Sequence, residues 1–524
     1  MNKTIRFIPS LMAALMVALS VEAQSTQSIE IKPIKGEKWW GLVVDRGSLL
    51  LPFSTPFQFN TADASPATYR ADMMLSNRGR YLWSPQPLMV TFDGTKIVAS
   101  TASPDNAAPL AVHKAGRSLR EAYLMCCHKN FPPKAIKADE MLFGAPIYEL
   151  GGDASLLYTQ ADVEAFAAML DKRGAPKGTI LLPQGWNSPT SAAAFDLEAY
   201  PAPKELIDHL HSKGMKVMLT VTPYVMAAGR GYQQSLRDGE LLCDKSGRPL
   251  VFESRLGYTA CNNLQKGCVE RLNSALKVLQ EEYGVDGFYF DCLDAIPLFK
   301  ARGYDLERFL DAWHSVAQGV DVAICSTPTH TQLGSIASSV SPSRSYSWDR
   351  LATTLETAIN AAVLGYSRTC IAADLNFQPA DKSQAPDEEL ILRTAQAAAL
   401  MPVAIIPYAV WSVENTAAVD AMLALRGDIG PYVLELAQES VVTAEPIIRH
   451  LEYQFPRTGF SNCTDEYMIG NRYLVAPVIA SGNNRMVRLP KGKWLDHKGR
   501  KIKGPRVIDV GLDIGEVAIF EADH

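Results

Sequence analysis

The chain has 524 residues, about three times the usual length of one domain, so its length predicts two or three domains. Apolar residues make up 47% of the chain and charged residues 20%, a balance that excludes a mostly disordered, collagen-like or coiled-coil protein. Lys and Arg total 51 against 56 Asp and Glu, for a formal net charge of −5. The chain therefore has no strong positive field, and we expect no nucleic-acid partner.

The first residues have the pattern of an export signal. Two basic residues precede the apolar run 7–19, and small residues ending at Ala23 match the positions that a signal peptidase recognises. The run is short for a bilayer span, and Gln24 rather than Cys follows the predicted cut. We predict a signal peptide over 1–23, a periplasmic or secreted mature protein, and no stable membrane insertion. A residual membrane anchor is the alternative.

The cysteines do not indicate a metal or redox site. Nine cysteines are few for this length, and no two have the Cys-x-x-Cys spacing of a structural zinc or dithiol site. The sequence leaves open whether Cys243 and Cys261 pair across a loop.

The hydrophobic pattern changes twice along the chain. Short apolar segments separated by turn residues predict antiparallel β structure near the N-terminus, at 40–44, 49–52, 88–92 and 96–100. Similar segments return near the C-terminus, at 473–479, 486–489, 506–510 and 516–520. We predict a β-sandwich-like domain over 24–126 and a C-terminal β domain over 446–524.

Between these β regions, helical periods alternate with continuous apolar runs. The helical periods include 162–173 and 203–213, and the apolar runs are 179–182, 216–221, 287–290, 322–325, 369–373 and 403–406. Apolar runs buried on both faces and separated by helices are typical of a parallel sheet. We predict an α/β protein whose residues 127–445 form a (β/α)8 TIM barrel. A doubly wound open sheet is the alternative, although no Gly-rich phosphate turn supports it.

Catalytic groups of such barrels lie at the carboxyl ends of the strands. Asp291 directly follows the predicted strand 287–290, which a predicted helix over 268–283 precedes. A carboxylate flanked there by Phe and Tyr is partly desolvated and can act as a nucleophile or base. The alternative is a helix cap or a loop ion pair. Asp294 either caps the next helix or orients Asp291.

Several segments of the chain carry longer motifs. They are YPAPKELIDHLHSKGMKVMLTVTPY at 200–224, VDGFYFD at 285–291, MIGNRYLVAPV at 468–478 and RLPKGKWLD at 488–496. They resemble segments of glycoside hydrolase family 31, in which the strand similar to VDGFYFD carries the nucleophile. The likeness is collinear over roughly 130–500. It implies an exo-acting, retaining α-glycosidase that acts on an oligosaccharide or glycoside through two Asp residues, without a metal or cofactor.

The resemblance assigns Asp291 as the nucleophile, but the acid/base is less direct. The family places that residue shortly before a Trp and a helix, where this chain has SRSYSWDRL at 343–351. Asp349 is the only carboxylate in that stretch and is the predicted acid/base; alternatively, it contacts the dipole of a helix N-terminus. An alignment on Trp348 instead places Ser343 there, and Ser does not titrate near a working pH. Trp348 and Arg344 are predicted substrate contacts.

Other departures from the family concern the substrate. Where the family has an acidic pair before a Trp, this chain has Gln184 and Trp186; Gln184 is expected to bind hydroxyls, and Trp186 either stacks a sugar or packs in the core. Asp374 is expected to bind ring hydroxyls or to cap a helix. The family's Arg and His pair is missing from 402–408, although Ile405 and Ile406 there can be ordinary strand residues.

These departures predict a substrate other than a simple maltose-type glucoside, with an α-galactoside as a candidate. Two alternatives stay open: a non-catalytic, glycan-binding barrel of the same fold, and a transglycosylase that uses the same residues.

Overall fold

The computed structural model describes most of the chain. The described residues are 28–44, 51–65, 68–101, 109–133, 138–151, 157–187, 193–254, 257–293, 305–329, 331–332, 336–340, 347–371 and 387–523. The predicted signal peptide, 1–23, lies outside them. Within these ranges, no helix combines the length and the apolar character needed to cross a membrane.

The N-terminal region contains two antiparallel sheets of four strands. The strands are β1 (Ser28–Ile31), β2 (Trp39–Val44), β3 (Phe57–Asn60), β4 (Tyr69–Ser76), β5 (Arg80–Trp83), β6 (Leu88–Phe92), β7 (Ile97–Thr101) and β8 (Val112–Lys114). Their orders are β1-β7-β6-β3 and β2-β4-β5-β8. The strand predicted at 49–52 is wrong at its second half, because residues 51–53 form a turn and Pro52 has no N–H to contribute to a ladder.

Helices and strands alternate from residue 119 to residue 443. In chain order they are α1 (Leu119–Asn130), α2 (Glu140–Phe143), β9 (Ile147–Glu149), α3 (Gln160–Lys172), β10 (Thr179–Leu182), α4 (Pro203–Ser212), β11 (Lys216–Val221), β12 (Tyr224–Met226), α5 (Arg230–Arg237), β13 (Val251–Ser254), β14 (Gly257–Cys261), α6 (Lys266–Val278), β15 (Gly287–Phe290), α7 (Leu306–Gln318), β16 (Ala323–Cys325), β17 (Ala337–Val340), α8 (Trp348–Val363), β18 (Thr369–Ile371), α9 (Glu388–Ala399), β19 (Ile405–Ile406) and α10 (Thr416–Thr443).

Eight of these strands form the predicted TIM barrel. They are parallel, in the order β18-β17-β16-β15-β11-β10-β9-β19. The barrel closes because Val403 N donates a hydrogen bond of 3.1 Å to Thr369 O, which joins the segment before β19 to β18. The strands are short and buried on both faces, as the continuous apolar runs predict. Strands β12, β14 and β13 form a separate small sheet inserted after β11.

The strand that carries Asp291 is delivered by a helix with a defined end. Helix α6 continues through a π-helical segment, Leu279–Tyr283, so the helix predicted over 268–283 is present with a different final turn. Gly284 caps it in the left-handed region, at φ 85°, and its N–H bonds to Leu279 O. Strand β15 then begins at Gly287, three residues later, with both flanks paired to parallel neighbours.

The C-terminal region is one antiparallel sheet of six strands. Its elements are β20 (Ile448–His450), α11 (Leu451–Gln454), β21 (Tyr467–Ile469), β22 (Tyr473–Ala476), β23 (Asn484–Asp496), β24 (Lys501–Gly511) and β25 (Ala518–Ala522). The strand order is β20-β21-β22-β25-β23-β24. One hydrophobic core runs from the N-terminal sheets through the barrel, and a second fills the C-terminal sheet. The predicted boundary between 126 and 127 falls inside α1.

All nine cysteines are free thiols. Cys243 and Cys261 do not bond to each other, so the disulfide that the sequence left open is not formed.

Candidate active site at the carboxyl end of the barrel strands

Asp291 emerges directly from β15 at the carboxyl end of the barrel. Its backbone N–H donates to Val221 O at 2.9 Å, which extends the pairing with β11 to the last residue. One carboxylate oxygen, Oδ1, accepts hydrogen bonds from Ser326 Oγ at 2.8 Å and from Leu293 N at 3.1 Å. The other oxygen, Oδ2, makes no hydrogen bond to the part of the chain that the structure describes. Within the described residues, the carboxylate is therefore held through one oxygen only.

Ser326 is a site residue that the sequence analysis missed. It is 1% exposed and follows β16 as Asp291 follows β15, and its N–H donates to Phe290 O at 3.0 Å. A signal was available, because Ser326 comes directly after the apolar run 322–325. A serine after a strand is common, however, and only the pairing of β15 with β16 brings its hydroxyl to the carboxylate.

Two buried thiols lie beside the carboxylate. Cys325 Sγ is 3.3 Å from Thr327 Oγ1, and Cys292 Sγ is 3.9 Å from the same hydroxyl. Burial raises the pKa of Cys292 well above its ordinary range and raises the pKa of Cys325 to about 11. Both groups stay neutral near neutral pH, so neither competes with Asp291 as a nucleophile.

Asp349 lies in the first turn of α8, and its side chain is exposed. Ser347 caps the helix by accepting a hydrogen bond from Arg350 N. Because α8 follows β17, its N-terminus lies at the carboxyl face of the barrel, the face that also carries Asp291. The favourable dipole contact that the sequence left as an alternative is therefore present. The acid/base role of Asp349 stays a prediction. Trp348 is half-buried against the hydrophobic core.

Two of the predicted substrate contacts follow β10 and have different surroundings. Gln184 is partly exposed, but its Oε1 is buried and has no hydrogen-bond partner among the described residues. Trp186 is 1% exposed, packs edge-on against Phe195, and donates its indole N–H to Thr220 O at 2.7 Å. Trp186 thus occupies a core position, which was the second possibility left by the sequence, and its ring has no open face for a sugar.

Three predicted substrate contacts, Asp294, Arg344 and Asp374, lie outside the described residues. Ile405 and Ile406 form β19 and are buried, so they are strand residues and not members of the site. This weakens any argument from their apolar character to substrate choice.

One cluster in the described chain has the composition of a metal site, but it is already neutralised. Cys463, Asp465 and Glu466 lie in the C-terminal sheet with their ligand atoms within 4.8 Å of one another. Arg485 pairs with Asp465 at 2.8 Å, and Arg488 pairs with Glu466 at 3.0 Å. Because two guanidinium groups already pair with these carboxylates, we interpret the cluster as an ion-pair network.

Comparison with known proteins identifies the family. The model "Glycosyl hydrolases family 31 TIM-barrel domain" matches residues 145–308, and "Glycosyl hydrolase family 31 C-terminal domain" matches 444–521. A curated relative, the myogenesis-regulating glycosidase of Mus musculus, is 36% identical over 142 residues, which are 26% of this chain and 20% of that protein. The α-xylosidase of Saccharolobus solfataricus is 23% identical over 372 residues, 64% of this chain and 48% of that protein. The matches thus span less than half of either relative.

Solved structures share the fold over nearly the whole chain. A family 31 α-xylosidase from a soil metagenome, complexed with xylose, has a TM-score of 0.75 at 18% identity and covers 95% of this chain and 79% of its own. A family 31 sulfoquinovosidase from E. rectale, complexed with an aza-sugar inhibitor, has a TM-score of 0.76 at 16% identity, with 95% and 82% covered. These identities establish the shared fold alone. The family follows from the two family models: the chain belongs to glycoside hydrolase family 31.

Proposed function

We propose that the protein is an exported, retaining exo-α-glycosidase that removes a terminal α-linked sugar by double displacement. The observation that carries the proposal is the carboxylate of Asp291 at the carboxyl end of β15, which the described residues hold through one oxygen. One oxygen is fixed by two donors, and the other has no donor among the residues that the structure describes, which leaves its lone pairs for attack on a sugar. The names of the relatives, which include α-xylosidases and a glycosidase, support the same class of reaction.

The proposed reaction has two steps. Asp291 attacks the anomeric carbon as the bond to the leaving oxygen breaks, and Asp349 gives that oxygen its proton. Asp349 then takes a proton from water, which attacks the same carbon and releases the carboxylate of Asp291. This sequence retains the anomeric configuration and needs the two carboxyl groups about 5–5.5 Å apart.

A panel of aryl α-glycosides tests the proposal. We expect turnover of at least one, with the α-anomer as the first product in a proton NMR time course. A β-anomer as first product would contradict retention. Sugar binding without turnover would favour the non-catalytic barrel, since an activated aryl leaving group needs little acid assistance. Products longer than the substrate, formed at the expense of free sugar, would favour a transglycosylase.

The substrate is proposed to differ from a simple maltose-type glucoside. Gln184 stands where the family has carboxylates. Its buried Oε1 has no donor among the described residues, so it can accept a hydrogen bond from a sugar hydroxyl. Each charge-assisted hydrogen bond that an amide cannot reproduce is worth about 1.5–3 kcal/mol, or about one to two orders of magnitude in rate. An α-galactoside is the leading candidate. Faster turnover of aryl α-glucoside than of the α-galactoside, α-xyloside and α-N-acetylhexosaminide would refute this part.

Export is proposed from residues 1–23. Fractionation of bacterial cells that express the full chain should give a periplasmic or secreted protein whose N-terminus is Gln24. A full-length protein retained in the cell membrane would support the anchor instead.

A further inference from the structure

We propose that Ser326 is a positioning residue that selects Oδ2 of Asp291 as the attacking oxygen. The inference rests on the proposed function, because it concerns the nucleophile of that reaction. It goes beyond it by assigning different roles to the two oxygens of one carboxylate. The family resemblance does not point to this serine, and its place after a strand does not by itself distinguish it from other serines.

The two donors to Asp291 converge on one oxygen. Ser326 Oγ and Leu293 N both donate to Oδ1, at 2.8 and 3.1 Å, and Oδ2 has no donor among the described residues. Leu293 contributes a backbone group from the same loop as Asp291, so it moves with the carboxylate. Ser326 belongs to the neighbouring strand, and its hydroxyl is therefore the donor that can fix the plane of the carboxylate against the barrel.

Ser326 is itself held from two sides. Its N–H donates to Phe290 O at 3.0 Å, which continues the pairing of β15 with β16. The next carbonyl, that of Thr327, accepts a hydrogen bond of 2.8 Å from Nε2 of His314, a buried residue of α7. Ser326 is 1% exposed, and both its own N–H and the carbonyl of the next residue are hydrogen-bonded. Its hydroxyl therefore has little freedom to leave the carboxylate.

The arrangement has consequences in both steps of the reaction. When Oδ2 forms the bond to the anomeric carbon, Oδ1 becomes the carbonyl oxygen of the glycosyl ester and loses its negative charge. When water attacks the anomeric carbon and the ester bond breaks, the charge returns to the carboxylate, and the Ser326 hydroxyl again stabilises it on Oδ1. Hydrogen bonds to a charged group are stronger than those to a neutral carbonyl. Ser326 should therefore assist hydrolysis of the ester more than its formation.

The test compares Ser326→Ala, Ser326→Thr and the wild-type chain. The control is Ser440→Ala, which truncates another buried serine. Ser440 lies on α10, and its hydroxyl is 3.3 Å from that of Ser367. The probe is the nitrophenyl α-glycoside that the wild-type chain turns over fastest, because a good leaving group makes ester hydrolysis limit kcat. For Ser326→Ala we expect kcat to fall about 10- to 150-fold, the worth of one hydrogen bond to a charged group.

Three further readouts separate positioning from a general packing effect. KM should fall together with kcat in Ser326→Ala, because the ester accumulates. Ser326→Thr should recover most of kcat, and Ser440→Ala should leave kcat and KM unchanged. Unchanged kcat in Ser326→Ala, or equal losses of kcat and kcat/KM, would overturn the proposal.

A crystal structure of each variant decides the question even if the wild-type chain turns over none of the aryl glycosides. In that case the proposed function fails, but the orientation of the carboxylate can still be seen. We expect the plane of the Asp291 carboxylate to rotate in Ser326→Ala and to be restored in Ser326→Thr. If the Ser326→Thr protein does not fold, the Ser326→Cys protein supplies a weak donor of similar size instead. An unrotated carboxylate in Ser326→Ala would refute the positioning role.

Discussion

The two ends of β15 carry aspartates with opposite surroundings. Asp286 precedes the strand, and both of its oxygens are occupied: Lys216 Nζ lies 2.8 Å from Oδ1, and His211 Nε2 and Val217 N donate to Oδ2 at 2.8 and 2.9 Å. Asp291 follows the strand, and the described residues place neutral donors on one of its oxygens and none on the other. The two carboxylates are five positions apart on the same short segment of chain.

The difference shows how one strand separates stability from chemistry. A carboxylate with partners on both oxygens, one of them a lysine, is fixed and has neither oxygen free to attack a substrate. A carboxylate that, within the described part of the chain, has donors on one oxygen and no cationic partner keeps a nucleophilic lone pair. Barrels place function at the carboxyl ends of strands and stability at the amino ends, and here both rules act on one strand.

The largest expected effect comes from replacing Asp291, at the carboxyl end of β15. Asp291→Asn keeps the size of the side chain and removes the nucleophile, so kcat/KM on the best aryl glycoside should fall by about 10⁴-fold or more. The urea midpoint of unfolding should stay within experimental error of the wild type. Residual activity above one hundredth of the wild type would show that another group attacks the sugar.

The acid/base prediction comes next in size. Asp349→Asn should reduce kcat/KM by about 10²- to 10⁴-fold on a glycoside with an alkyl or sugar leaving group, which needs a proton. The loss should be much smaller on a dinitrophenyl glycoside, which leaves unprotonated. Glu356 lies later in the same helix, and Glu356→Gln is the matched control. Equal losses on both substrates would remove Asp349 as the acid.

A third variant removes the negative charge of Asp286, at the amino end of β15. Asp286→Asn leaves Lys216 and His211 without their anion, and we expect the free energy of unfolding in urea to fall by about 3 kcal/mol. The kcat/KM of the folded variant should stay within about twofold of the wild type. The exposed pair of Asp208 with Lys204 provides the control, because Asp208→Asn should cost less than about 0.5 kcal/mol. A large loss of activity at full folding would show that the two ends are coupled.

The smallest effect concerns the pH dependence of stability. Burial lowers the pKa of His450 from its ordinary 6.5 to about 4. Between those two values the unfolded chain binds a proton here and the folded chain does not, so the free energy of unfolding falls as pH falls. The loss contributed by His450 should be about 2 kcal/mol between pH 7 and pH 5.

His450→Asn is the matching variant. Nδ1 of His450 accepts a hydrogen bond from Glu452 N, and an Asn oxygen can accept the same bond without titrating. We expect its urea midpoint to depend less on pH between 7 and 5 than that of the wild type. An identical pH dependence in the two proteins would exclude His450 as the source.

The sequence by itself determined the architecture and the position of the nucleophile. Continuous apolar runs separated by helical periods are local patterns, so the strands near 179, 216 and 287 and the three-part α/β organisation follow from them. The residue after a barrel strand must lie at the carboxyl face, and this made Asp291 visible as soon as β15 was predicted. The motif resemblance added the family on the same local grounds.

Only the tertiary structure decided which side chains meet. Ser326 reaches Asp291 across 35 positions, because β15 and β16 pair in one particular register. Trp186 is buried because Phe195 and Thr220 O take its ring and its N–H, and neither neighbour is local to it. Burial and contact depend on the packing of strands and loops that are distant in sequence. A local pattern therefore predicts where a strand ends, but not which hydroxyl will hold the carboxylate that follows it.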